Sequence, residues 1–159
     1  MGCGASRSIV MDETFEVAAG PEAVSQYITT RENWLEIIPS CASDPTAALL
    51  EDGGTHEWGV YGGGVRYEFF DTRLGTNPST VEYKVHVTAN PSFIDFTIAV
   101  SYVLSNSVAT ENGTSVRRRV QLVQVKLGSC AACLFIKPAT LRACRKENKI
   151  IASKAAQMS

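Results

Sequence analysis

Two histidines, His56 and His86, together with five cysteines and five tyrosines, supply the side chains of this 159-residue chain suited to acid–base, nucleophilic or metal chemistry. Covalent catalysis needs a hydroxyl or thiol set beside a base. No Gly-x-Ser-x-Gly turn is present, nor any Ser-His-Asp order with a supporting motif. His56, Glu57 or a tyrosine could act as general acid or base, but their spacing singles out none. Cys130-Ala131-Ala132-Cys133 is a lone C-x-x-C. A structural zinc site takes four ligands; Cys144 is the nearest third, and no histidine lies close. These thiols read as small buried hydrophobes, and neither a metal nor a cofactor is expected. Gly62-Gly63-Gly64 lacks the Lys-Ser/Thr of a phosphate loop and reads as a tight hairpin.

A different chemistry is written at the N-terminus. Met1, Gly2 and Ser6 satisfy the M-G-x-x-x-[ST] pattern for N-myristoylation, and Cys3 sits where a second acyl chain could be added. Two chains give stable membrane anchoring where one gives marginal binding, with Arg7 adding a little. Acidic Asp12-Glu13 arrives too early for a secretory signal. The expectation is a leader over residues 1–8, acylated at Gly2 and Cys3, on a cytoplasmic protein held at the membrane face. An odd cysteine count with irregular spacing suits a reducing compartment. Asn112-Gly113-Thr114 is accordingly read as an Asn-Gly hairpin turn rather than a glycosylation sequon.

These residues must be positioned by a single domain, expected over residues 9–157. With 45% hydrophobic and 19% charged residues, the chain has enough apolar surface to fold. Its net charge of −1 gives no field to recruit nucleic acid. No apolar run approaches the ~18 residues of a membrane span. Thr14–Ala18 alternates as a strand, Pro21 opens a helix carrying Val24, Tyr27 and Ile28, and ENWLEIIP suggests a second short helix stopped by Pro39. Six strand candidates follow: TAALLE, HEWGVY, VRYEFFDTRL, STVEYKVHVTA, FIDFTIAVSYVLS and TSVRRRVQLVQVKL. Short turns between them imply an antiparallel meander. A long helix is expected from about Pro138 to Gln157, with Leu141, Cys144, Ile151 and Ala155 along one stripe.

The order strand, two short helices, six strands, long helix carries a resemblance. FEVAAGPEAVSQYITTRENWLEIIPS resembles the opening of the SRPBCC superfamily, the START-like and polyketide-cyclase-like helix-grip domains, and ENGTSVRRRVQL is similar to its last-strand entry. The resemblance implies an α+β helix-grip fold. In it, a curved seven-stranded antiparallel sheet wraps around a long C-terminal helix, with two short helices after the first strand and a hydrophobic cavity between. It does not imply one activity, because members include lipid carriers, aromatase/cyclases, hydrolases, chaperone activators and quinone-binding proteins.

Strand alternation assigns the faces. Trp58, Tyr67, Phe69, Tyr83, Val85, Phe96, Ile98, Tyr102 and Val120 fall on the apolar side and are the candidate ligand-binding residues. Arg118 shares a face with Val116, Val120 and Leu122. It also sits in the run Arg117-Arg118-Arg119, which otherwise reads as a solvated face. The expected function is non-enzymatic binding, and transfer, of a hydrophobic small molecule or lipid. The alternatives are a cyclase or dehydratase that uses tyrosine and Arg118 to polarise a carbonyl, and an interaction module with a solid core that displays its basic last helix.

Overall fold

A computed structural model of the chain describes residues 9–51, 56–76, 79–89, 94–126 and 130–158. The proposed acylation sites Gly2 and Cys3 lie outside the described residues. Strand β1 (Ile9–Val17) leads into helix α1 (Pro21–Thr29), where Pro21 takes the first turn, in which its missing N–H costs nothing. A 3-10 turn (Arg31–Asn33) and two one-turn helices follow, α2 (Trp34–Ile37) and α3 (Pro39–Ala42). Pro39 therefore ends α2, as expected, and also begins α3. Side-chain hydrogen bonds lock this cluster together. Trp34 donates its indole N–H to the Ile28 carbonyl at 2.9 Å, and Tyr27 donates to Glu36 at 2.6 Å.

The remaining strands are β2 (Ala48–Leu49), β3 (Trp58–Gly62), β4 (Val65–Thr76), β5 (Ser79–Ala89), β6 (Ile94–Asn106) and β7 (Thr114–Val125). TAALLE yields only the two-residue β2. The seven strands form one antiparallel sheet in the order β1-β7-β6-β5-β4-β3-β2, so the first strand pairs with the last and the meander fills the interval. Gly63 and Gly64, at φ 61° and 77°, make the two-residue hairpin between β3 and β4, the left-handed pair that such turns demand. The Asn112-Gly113 turn sits instead inside the longer connection from β6 to β7, with Asn112 left-handed at φ 58°. Register shifts between Phe70 and Arg73, and between Thr97 and Ile98, add local twist and bend the sheet.

Helix α4 (Cys130–Ala156) begins about two turns before the expected start, with Pro138 inside it. An interior proline removes a hydrogen bond and crowds the preceding turn. Ahead of Pro138, however, Ile136 is buried in the hydrophobic core, a gain that works against the local cost. Cys130 and Cys133 fall in the first turn of this helix, not before it as expected. The C-terminal half of α4 packs tightly: Ile151 and Ala155 are fully buried in the core with Val24, Ile28 and Val116. The other half behaves differently.

Candidate functional site

Between the concave face of the sheet and the N-terminal half of α4 lies a chamber of about 620 Å³. Its hollowness has a cause in the helix. Ala139, Thr140 and Ala143 line it from the helix, and side chains this short fill little of the space beside them. The sheet contributes Tyr67 and Phe69 from β4, Tyr83 and Val85 from β5, and Phe96 and Ile98 from β6. Trp34 and Ile38 roof it from α2 and its end. Phe135 stands at the boundary, lining the chamber while 76% exposed.

Arg118 resolves the conflict between alternation and charge run in favour of alternation. It points inward from β7 and is only 2% exposed, while Arg117 bonds Asp12 on the outer face at 2.9 Å. Inside, Arg118 donates from Nη2 to Glu147 Oε1 at 2.7 Å and from Nη1 to Asn148 Oδ1 at 2.9 Å. A longer bond from Nη1 reaches the Cys144 carbonyl at 3.4 Å, and the guanidinium lies 5.1 Å from the Tyr102 ring centre. Its Nε has no partner among the described residues. Burial works against the charge on Arg118, but its neighbours, among them the Glu147 carboxylate bonded to it, outweigh burial and the guanidinium stays cationic. Burial pushes the Glu147 carboxyl above its usual range, with Arg118 pulling it back.

Two hydroxyl pairs lie at the chamber. Tyr83 of the lining shares a 2.6 Å hydrogen bond with Tyr102 behind it, and Ser40 of α3 and Tyr67 of β4 share one of 2.8 Å. Ser40 reaches Tyr67 because the β3–β4 hairpin presses against α3; a side chain at Gly62 would come within 2.7 Å of the Cys41 Cα. Burial raises both deep tyrosines, and Tyr67 to about 12. It likewise lifts the Cys144 thiol to about 12. Each of these groups keeps its proton at neutral pH, so each can donate a hydrogen bond but is a poor base or nucleophile.

Seven of the ten candidate ligand residues thus line the chamber: Tyr67, Phe69, Tyr83, Val85, Phe96, Ile98 and Arg118. Three stand behind it. Trp58 stacks on Phe69 at 3.7 Å, Tyr102 is fully buried under Tyr83 and Arg118, and Val120 is sealed in the core. Their faces agree with the alternation, but other side chains cover them. Sequence reasoning missed Trp34, Ser40 and Glu147. For Glu147 a signal existed: Glu147 and Asn148 interrupt the apolar stripe of Cys144 and Ile151 at helical spacing, where polar residues need a buried partner. Both histidines lie on the outer face. His86 bonds Asp95 at 2.7 Å, and Glu68 bridges His86 and His56 at 3.4 and 3.0 Å. Among the described residues no group of three or more His, Cys, Asp or Glu could hold a metal ion, and no helix is long and apolar enough to cross a membrane.

No protein-family model matches the chain, and no curated protein sequence matches it. Solved structures do. The crystal structure of Ara h 8.0201 superposes with a TM-score of 0.59 at 11% identity, covering 92% of this chain and 97% of that one. The Zhui aromatase/cyclase from Streptomyces sp. R1128 matches with a TM-score of 0.54 at 12% identity over 91% and 92%. A START superfamily protein from Mycobacterium smegmatis matches at 0.52 and 12% identity over 94% and 98%. These likenesses are of fold, an α+β helix grip in which an antiparallel sheet wraps a long C-terminal helix.

Proposed function

We propose that this chain, a helix-grip domain with an open chamber, binds a hydrophobic small molecule or lipid between its sheet and α4. The single observation behind this reading is the chamber itself, whose volume falls in the range of small-molecule sites and whose walls are overwhelmingly apolar. A cavity that size is costly to keep empty, because its lining forgoes packing contacts. Transfer of the guest to or from a bilayer, at the cytoplasmic face and through an acyl anchor at Gly2 and Cys3, extends the same proposal. Incorporation of labelled myristate that vanishes in Gly2→Ala supports the anchor; no incorporation in a competent host ends it. For the binding itself, native mass spectrometry of the purified protein should show a mass excess that disappears on denaturation. A delipidated protein whose Trp34 fluorescence responds to no apolar ligand overturns the reading.

The inward Arg118 favours a second reading, a cyclase-like or dehydratase-like enzyme in which Tyr83 and Arg118 polarise a carbonyl in the same chamber. It predicts that Arg118→Ala abolishes turnover while the fold survives. Against it stands the protonation of the chamber's tyrosines and of Cys144, which leaves donors in place but no evident proton acceptor besides Glu147.

A further inference from the structure

We infer that the chamber selects an electrically neutral guest, an apolar body bearing an acceptor oxygen as a ketone, ester or alcohol, and turns away the corresponding carboxylate. This rests on the chamber being a ligand site and adds the charge and polar chemistry of what enters it. The first argument is charge. Arg118 and Glu147 are the only charged side chains in the described lining, and they bond each other at 2.7 Å. Their charges cancel. A guest carboxylate would bring a second negative charge beside Glu147 with no free cation to meet it, in surroundings that solvate ions poorly.

The second argument is geometry. An arginine captures a carboxylate by presenting two parallel N–H groups. Here the Cys144 carbonyl, Asn148 and Glu147 take three of the five guanidinium N–H groups, so the two terminal nitrogens cannot present a free pair. The Nε–H and one Nη2–H that remain belong to a cation already paired with Glu147.

The third argument is a proton count. Tyr83 and Tyr102 carry two hydroxyl protons, and only one can lie in the 2.6 Å bond between them. The other has no acceptor among the described residues. Were Tyr83 the donor, the leftover proton would belong to Tyr102, wholly enclosed and beside a cation. With Tyr102 donating, the spare O–H is that of Tyr83, which lines the chamber and can meet an oxygen entering it. The polar end therefore asks for an acceptor and has no use for a charge.

The test compares dodecanol, methyl laurate and laurate on the delipidated full chain at about pH 8, where a carboxylic acid in water is ionised. Binding is followed by Trp34 fluorescence and native mass spectrometry. Both neutral probes should bind at least about tenfold more tightly than laurate. Tyr83→Phe should weaken methyl laurate by about three- to tenfold. Glu147→Gln should reverse the order by freeing Arg118; should that variant unfold alone, laurate should restore its fold and methyl laurate should not. Laurate binding to the unaltered chain as tightly as methyl laurate overturns this inference while leaving the binding reading intact. Failure of all three probes to bind overturns both.

Discussion

Arg118 is fixed by three hydrogen bonds and an aromatic face, so its removal is felt mainly by the partner left behind. Arg118→Ala should cost about 3–5 kcal/mol, because Glu147 then stays buried without a counter-charge. Arg118→Met combined with Glu147→Met should recover most of that loss, as urea unfolding would show. The buried thiols give a pH prediction. Cys41 is raised by burial to about 11 and Cys144 to about 12, against an ordinary 9.0. In the unfolded chain these thiols release protons first, so stability is complete below pH 9 and declines as pH climbs toward 11 to 12. In a background with Cys3, Cys130 and Cys133 changed to serine, urea midpoints should fall from pH 8 to pH 10.5, and Cys144→Ala should flatten that fall. Arg118 also shows what a sequence makes legible at this scale. The two-residue period that it shares with Val116, Val120 and Leu122 offered the inward face, the charge run offered the outward one, and the buried pairing with Glu147 decides for the first. Its partner was hidden, since no local pattern says which turn of a helix lies across from which strand residue.

At the level of elements, α4 has two halves with opposite tasks, one packing a core and one leaving a void. The division is set by Ala139 and Ala143 on one side and Ile151 and Ala155 on the other. Ala143→Leu should occupy the void, reducing ligand affinity at least about tenfold with thermal stability unchanged or raised, because the added carbons meet apolar walls without displacing packed atoms. Pro138→Ala restores a backbone donor in mid-helix and should stabilise the fold by up to about 3 kcal/mol, readable as a higher melting temperature. The strands and α1 were readable from alternation and from Pro21. The start of α4 was not, because a proline normally marks a boundary. The burial of Ile136 ahead of it is a tertiary feature that no local pattern announces.

For the molecule as a whole, seven antiparallel strands, a cluster of short helices and one long helix reproduce the element order read from alternation and turn chemistry and the helix grip that the resemblance implied. The void inside it is a fact of volumes, which no pattern of residue types along a strand can supply. Hydrogen exchange should grade the sheet by position: β5, β6 and β7, paired on both sides, should open only with global unfolding, while the two-residue β2 at the edge should exchange soonest. A uniform protection pattern would contradict this.

The pairing of β1 with β7 also bears on how the chain reaches its folded state. These strands join residues about a hundred positions apart, Val17 meeting Thr114. During synthesis β1 therefore waits, its backbone groups unpaired, until β7 has left the ribosome. Addition of β1 to the edge of the sheet is a late event that costs a large loop entropy at once. Between the emergence of these strands and that of α4, an apolar concave face stands with no long helix to cover it, which makes the nascent chain a natural client for a holding chaperone.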